Sequence, residues 1–465
     1  MIPHSVVELV YLVSAALFII GLKRLQSPET ARRGNLLSGI GMLLAVTVTL
    51  FDQAILSYGT IAAGMLVGGA IGVWMARAVK MTAMPQMVAL LNGFGGGASL
   101  LVGGAELLRA DLAAAAVPVA AGVTIMLAVL IGGVTLTGSG VAFAKLQELV
   151  SGRPFVFAGQ QIVNGLLVVA ILALIVYQVA APVPEPWALY TVAGLALLLG
   201  VMLVVPIGGA DMPVVIALLN SYSGLAAAMT GFVIDNHVLI VSGALVGSSG
   251  LILTRIMCKA MNRSLANVLF GAFGAATSAE GKRSVEGLTV QQITAEDAAM
   301  QLAYSRLVVI VPGYGLAVAQ AQHQVRELAE LIEKKGGEVR YAIHPVAGRM
   351  PGHMNVLLSE AQVEYDRLIT DVDEVNALMP RADIAIVIGA NDTVNPAAID
   401  EPASPLYGMP IVRADLAQRC IVMKRSMAAG FAGVENDLFF KERTVMLFGD
   451  AKKSINELIQ EVKQV

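Results

Sequence analysis

Long apolar runs fill the first 260 residues, and short β-branched runs alternating with helical patterns fill the rest. The apolar runs cover 6–22, 35–51, 57–79, 84–108, 116–138, 161–181, 187–206, 211–233 and 237–257. Each is long enough, at about 17–25 residues, to cross a bilayer as a helix. Beyond them, Leu307–Val311 reads as a buried parallel strand, followed by a helix over Ala317–Lys334 and a strand over Glu338–Ile343. Helices follow near Gly352–Ala361 and Asp371–Met379, then a strand over Asp383–Ile388. Strands near 410–413, 420–424 and 444–448 and a helix over Ala451–Val462 complete the pattern. The expected fold is a polytopic α-helical membrane domain of about nine spans, followed by an α/β doubly wound parallel-sheet, Rossmann-like domain. The expected boundaries are 1–260 for the membrane domain, 261–288 for a linker and 289–465 for the sheet domain.

Composition agrees with integration into a membrane. Of 465 residues, 56% are hydrophobic and only 14% charged, against roughly 25% charge in soluble domains; mean hydropathy is +0.73. A net charge of −3 offers no nucleic-acid footprint. Cys258 and Cys420 have no metal spacing and suggest no disulfide, so no metal site is expected. The start MIPHSVVELV lacks a basic n-region, and its apolar run ends at Lys23-Arg24 without a small-residue cleavage site, so it reads as a retained span.

Loop charge gives a topology. Lys23, Arg24, Arg32 and Arg33 follow the first span, Arg77 and Lys80 the third, Lys145 and Arg153 the fifth, and Arg255, Lys259 and Arg263 the ninth. Apart from Arg109, the alternate loops hold almost no Lys or Arg. The N-terminus is therefore expected outside and the sheet domain in the cytoplasm. An internal echo pairs Met84-Pro85 and Asn92 with Met212-Pro213 and Asn220, and a weaker one pairs 137–140 with 247–250. Both read as a parallel repeat, although small residues also serve close helix packing.

Polar groups inside the spans are few. Asp211 opens the eighth span, where it could cap the helix or handle protons. Asn92 and Asn220 lie at matched depths and could bond between helices or line a path. Glu106 reads as an interfacial carboxylate. Arg263 and Ser264 sit after the last span, either as a positive anchor or as a gate between membrane path and sheet domain. A Gly/Ala/Ser-rich linker follows.

Pro312-Gly313-Tyr314-Gly315 after the first strand gives a partial dinucleotide fingerprint, with Val318 at its third position. Gly313 and Gly315 are expected to let the backbone approach a pyrophosphate at the start of a helix. Ligands belong at the strand ends, here Gly313-Tyr314, His344 to Gly352, Gly389 to Thr393, and Lys424-Arg425-Ser426. The second strand ends in Ile343-His344-Pro345 without the acid that holds a ribose hydroxyl in an NAD site. Lys424, Arg425 and Ser426 instead suit a phosphomonoester, which favours NADP.

Taken together, the motifs resemble the β subunit of proton-translocating NAD(P) transhydrogenases over essentially the whole chain. They include Asp211-Met-Pro-Val-Val, Leu219-Asn-Ser-Tyr-Ser-Gly224, Gly243 to Gly250, Met261-Asn-Arg-Ser264, Val311 to Ala317, His344 to His353, Gly389 to Pro396 and Lys424-Arg-Ser-Met427. The resemblance implies NADP(H) contacts at Tyr314; at Val346, Ala347, Gly348, Arg349, Met350 and Pro351; and at Gly389, Ala390, Asn391, Asp392 and Thr393. It extends them to Gly408 and Met409; to Lys424, Arg425, Ser426, Met427, Ala428, Ala429, Gly430 and Phe431; and to Asp450 and Ala451. In such proteins NADP(H) lies flipped relative to the usual order, which accounts for a 2′-phosphate grip at Lys424-Arg425. Asp392 would lie on the nicotinamide side. Asn92, Asp211, Asn220, Arg263 and Ser264 match positions tied to proton movement or its coupling. Asn92 replaces a His found in some members and cannot titrate, so a His on the partner could take that role. Phe431 stands where Tyr is common, and Asn436-Asp437 replaces Asn-Pro, so the loop over the ligand is expected to close differently.

The implied enzyme is a bacterial inner-membrane transhydrogenase, active with an α subunit that binds NAD(H) and completes the membrane domain, and expected as a dimer of that pair. Hydride would pass directly between nucleotides, with no catalytic side chain from this chain. A nucleotide-gated transporter or sensor without catalysis is the alternative. A membrane dehydrogenase feeding a quinone or flavin is a further one, but no flavin or metal site is suggested.

Overall fold

The computed structural model describes residues 4–25, 28–51, 57–79, 83–113, 115–151, 154–261, 264–270, 289–349, 352–402, 404, 406–428, 430 and 432–465. Its residues divide into two compact units, Met1–Thr254 and Arg255–Val465.

In the first unit the helices are α1 (His4–Leu25), α2 (Pro28–Leu50), α3 (Tyr58–Ala78), α4 (Met84–Leu112) and α5 (Val119–Leu146). They continue as α6 (Gln160–Ala180), α7 (Pro186–Val204), α8 (Met212–Val233) and α9 (His237–Ala260). Among the described residues, nine helices are thus long and apolar enough to cross a membrane. Proline in the first turn starts α4, α7 and α8, where a missing N–H costs nothing. The core lies between α4, α5, α6 and α7, around Met126, Val129, Ile171, Val192 and Ala196. Helices α1 and α2 form a pair, closed by Tyr11 Oη and Thr49 Oγ1 at 2.8 Å. Helix α3 buries none of its residues against the chain.

The echo has a packing counterpart. Gly96 in α4 lies against α5, where an added Cβ would sit 2.7 Å from Gly132 O. Gly224, twelve residues after Met212 as Gly96 is after Met84, lies against α9, 2.4 Å from Gly247 N. Both helices of the echo therefore meet their successors through a glycine that permits backbone contact.

Two span limits move. Helix α2 begins at Pro28 rather than 35, taking in Arg32 and Arg33, and α5 runs to Leu146 rather than 138. Lys145 is therefore inside the helix, and buried, rather than in a solvated loop.

In the second unit, α10 (Leu265–Phe270) and α11 (Ala295–Ala303) precede a sheet of β1 (Leu307–Pro312), β2 (Glu338–Ala342), β3 (Leu368–Ile369), β4 (Ile384–Ile388), β5 (Arg419–Lys424) and β6 (Thr444–Phe448). All pairings are parallel, in the order β3-β2-β1-β4-β5-β6. This is the doubly wound order, and its direction reverses between β1 and β4. Central β4 is buried throughout, as a continuous Ile-Ala-Ile-Val-Ile run requires when both faces are covered. The covering helices include α13 (Gln322–Lys334), α14 (His353–Glu360), α15 (Val372–Leu378) and α17 (Ala451–Gln464), with short α12 (Tyr314–Ala319) and α16 (Ala397–Asp400) at the strand ends.

Several local expectations fail. The helix expected over 317–334 is two helices, α12 and α13, separated at Gln320 in the left-handed region with φ 48°. The strand expected near 410–413 is absent. Pro410 has no N–H, Ile411 O accepts from Asn376 Nδ2, Val412 N–H donates to Thr393 O, and Arg413 N–H donates to Asn376 Oδ1. Those backbone groups are satisfied by a loop and a side chain, leaving no ladder. Helix α11 and strand β3 were not expected; both are short, and β3 has only two residues. Within the expected linker, Leu265–Phe270 form the short helix α10, also not expected, and 271–288 lie outside the described residues.

Candidate functional site

Parallel pairing brings the ends of β1, β4, β5 and β6 to one edge, and the loops beyond them are bonded to one another. Gly313 N–H donates to Ile388 O and Gly315 N–H to Gly389 O, both at 2.9 Å. A Cβ on Gly313 would stand 2.4 Å from Ala390 N, and one on Gly389 would stand 2.4 Å from Gly315 Cα. Gly389 also has φ +66°, which a side chain disfavours. The fingerprint glycines thus mesh two loops at the switch point. The Gly313 N–H goes to the last residue of β4 and the Gly315 N–H to the loop after it, and both glycines stand where α12 starts.

The loop after β2 is locked by two histidines. His344 Nδ1 accepts from Val346 N–H at 3.2 Å, so the neutral ring carries its proton on Nε2 and donates it to Pro410 O at 2.6 Å. Burial pushes the His344 pKa down to about 4. His353 Nδ1 accepts from Arg349 N–H at 3.1 Å. Burial, and then the neighbouring Arg349 charge, lowers the His353 pKa as well. The Arg349 guanidinium stands 4.4 Å above the Tyr314 ring, a cation–π placement. Both histidines stand at the ends of the His344–His353 motif, and that placement is the signal the sequence offers for them.

Beyond β4, the loop from Gly389 to Thr393 is covered by the chain that follows β5. Asp392 Oδ2 accepts from Ala432 N–H at 2.9 Å. Asn436 Nδ2 donates to both Asn391 O and Asn391 Oδ1 at 2.9 Å, and Asn395 Nδ2 to Glu435 O at 2.9 Å. A Cβ on Gly430 would meet Asp392 Oδ1 at 2.2 Å, so a side chain there would push the Asp392 carboxylate aside. Asn436 also accepts from Leu438 N–H at 3.0 Å; the Asn-Asp pair keeps a capped turn.

Lys424, at the end of β5, donates to Ala428 O and stands 4.7 Å above the Phe439 ring. Burial lowers its pKa, opposed by the charge of Asp392. Arg425, Ser426, Met427 and Ala428 are exposed beside it. Met409 packs with Ala398, Leu406 and Ile411, against Val346, Ala432 and Val434, joining three loops. Gly408 makes the required turn with φ +79°. Gly449 N–H donates to Lys424 O at 3.1 Å, which brings Asp450 to the same edge. The Asp450 carboxylate accepts from the N–H groups of Lys452 and Lys453, capping α17. Met350, Pro351, Ala429 and Phe431 lie outside the described residues.

In the helical unit, Asn92 is buried and its Nδ2 donates to Ile216 O in α8 at 3.3 Å. That carbonyl lies between Asp211 and Asn220 on the chain, so three expected residues converge on one helix; Asn220 is half-buried. Asp211 ends a 3₁₀ turn, Gly209–Asp211, and occupies the cap position of α8 without a side-chain cap bond. Ser264 is exposed, and Arg263 lies outside the described residues. Lys145 Nζ donates to Val205 O at 2.5 Å and Ile207 O at 2.8 Å, just past the end of α7. A cation there suits the negative end of the helix. Among the described residues no group of His, Cys, Asp and Glu could hold a metal.

Comparison with known proteins agrees with these features. The family described as NAD(P) transhydrogenase beta subunit matches residues 7–461. Two curated relatives named NAD(P) transhydrogenase subunit beta, one from Rhodospirillum rubrum and one from a named strain of that species, are each 48% identical to the chain. Each alignment covers 98% of this chain and 99% of the relative.

Proposed function

Because the chain belongs to the NAD(P) transhydrogenase beta subunit family, we propose that it binds NADP(H) at the carboxyl edge of its sheet. There it receives hydride from NADH on an alpha subunit, with inward proton movement through the helical domain driving the transfer. In this reading the N-terminus is outside, the sheet domain is cytoplasmic, and the alpha–beta pair is a dimer. The domains run 1–260, 261–288 and 289–465.

One observation carries the cofactor assignment: a lysine at the end of β5, beside exposed Arg425 and Ser426, under a cover bonded to Asn391 and Asp392. Two cations and a hydroxyl fit a phosphomonoester. Gly313 and Gly315, where two loops mesh at the start of α12, let the backbone approach the pyrophosphate. Bound NADP(H) supplies or accepts the hydride. The chain's work is to hold and align it and to keep water out. Gly313, Tyr314, Gly315, Val346 to Pro351, Gly389 to Thr393, Gly408, Met409, Lys424 to Phe431, Asp450 and Ala451 form that cradle. Asn92, Asp211, Asn220, Arg263 and Ser264 serve the proton path and its coupling.

Coupling requires that proton binding change NADP(H) affinity, and reciprocally. At ~150 mV a proton is worth ~3.5 kcal/mol, which shifts the NADPH/NADP⁺ ratio a few hundredfold at ~1.4 kcal/mol per tenfold. The test is titration of the expressed 289–465 domain with NADP⁺ and NAD⁺. A strong preference for NADP⁺ is expected, and Lys424→Met should weaken it by about 2 kcal/mol, near 30-fold. Equal affinities would overturn the reading. Preference for NADP⁺ without hydride exchange against an alpha subunit's NAD(H) domain would favour a nucleotide-gated sensor.

A further inference from the structure

We propose that Lys145 is a positioning residue for coupled proton movement: it clamps the turn between α7 and α8 and so sets where Asp211 stands. The inference rests on Asp211 belonging to the proton path, as proposed above. The turn runs Val205-Pro206-Ile207-Gly208-Gly209-Ala210-Asp211. Its own bonds are sparse. Pro206 has no N–H, Ile207 N–H donates to Val204 O at 3.1 Å, and Asp211 N–H donates to Gly208 O at 3.1 Å. Two adjacent glycines leave such a segment with many conformations.

Beyond those local bonds and the Met212 N–H bond to Gly209 O, the turn is held from outside itself. The Lys145 ammonium is buried and donates to Val205 O and Ile207 O, two carbonyls of the turn. Phe155 N–H adds a longer bond to Val205 O at 3.4 Å. Lys145 projects from the end of α5, the helix against which α8 packs: Gly138 would place a Cβ 3.2 Å from Leu219 Cδ2. The clamp therefore ties the turn to the same helix that seats α8, and Asp211 is the residue joining the two. An apolar side chain in this place would take from Ile207 O its Lys145 donor, leave Val205 O only the longer bond from Phe155, and loosen the glycines.

The experiment uses membrane vesicles carrying the assembled alpha–beta enzyme. It compares proton translocation with hydride exchange between NADH and an NAD⁺ analogue through retained NADP(H), which needs no release of NADP(H). Lys145→Met should lower protons moved per hydride at least tenfold while leaving the exchange within twofold, which also shows that the variant is folded and assembled. Lys145→Arg, which keeps the charge and can reach both carbonyls, should restore at least half of the pumping. Normal pumping by Lys145→Met overturns the inference. So does a parallel fall in pumping and exchange that Lys145→Arg does not rescue, the mark of a merely structural lysine. Asp211→Asn is measured alongside. If it pumps fully, the proton-path reading itself fails; if it does not pump while Lys145→Met does, only the clamp is lost.

Discussion

The two units use buried polar side chains in opposite ways. In the helical unit, Gln86, Asn92, Thr137, Lys145, Gln160 and Ser221 each donate to a backbone carbonyl on or just beyond another helix. No water is available in the bilayer core, and a helical carbonyl has a second lone pair to offer. In the sheet domain, strands need no such help, because their ladders satisfy the backbone. There His344, Asn395 and Asn436 tie loop to loop at one edge of the sheet, and half-buried Asn376 ties α15 to the loop before β5. One unit thus uses polar groups to fix helices relative to helices, and the other to shape a cradle on a frame already rigid.

The sharpest way to break this contrast is to disturb the frame beneath the cradle. Gly389→Ala places a methyl 2.4 Å from Gly315 Cα at φ +66°. Backbone strain of about 1 kcal/mol adds to backbone overpacking of about 1–3 kcal/mol. The variant should lose about 3 kcal/mol in urea unfolding of the expressed domain. Gly336→Ala is the control: φ is +96° but nothing lies within 4 Å of the added methyl, so about 1 kcal/mol should be lost. Similar losses at the two sites would show that the loops are not meshed as described.

A smaller effect tests the loop ties themselves. His344 has a folded pKa of about 4 against an ordinary 6.5. The unfolded chain therefore binds the proton first, and stability rises with pH. The neutral ring's contribution is complete above pH 6.5 and is lost as pH falls from there toward 4. By pH 5 this group should have cost about 2 kcal/mol of unfolding free energy, at 1.36 kcal/mol per pH unit. In His344→Gln that part of the slope between pH 7.5 and 5 should vanish, whatever the variant's stability at neutral pH. An unchanged slope would mean that His344 is not held neutral between Val346 and Pro410.

Legibility in the sequence followed the same division. The β-branched runs at Leu307–Val311 and 384–388 could hardly be anything but central strands, and the apolar runs of the first unit could hardly avoid being spans. Lys424 beside Arg425 and Ser426 was visible because two adjacent cations and a hydroxyl follow an apolar strand. What stayed hidden was partnership. A G-x-G motif is the same string of letters whether its N–H groups meet a phosphate or Gly389 O. Lys145 resembles a loop anchor until α5 is seen to extend past it. His344 and His353 act through which nitrogen accepts from which N–H, information that arises only when distant loops meet. The break at Gln320 belongs here too: no glycine or proline marks it.

The mildest perturbation addresses the helical side of the contrast. Asn92 Nδ2 donates at 3.3 Å to Ile216 O, a carbonyl that in a regular helix already serves the Asn220 N–H. Removing the amide therefore strands no backbone acceptor, and Asn92→Leu should cost only about 0.6 kcal/mol, the usual scale of a polar contact between membrane helices. The measurement is the midpoint of unfolding in mixed detergent micelles, set against Ser221→Ala, which removes the 2.7 Å bond to Gly247 O. The two losses should be similar and additive, since the bonds join different helix pairs. A loss several times larger at Asn92 alone would mean that its amide holds more than one carbonyl. Position 92 would then be a node of the path through α8 rather than one tie among several.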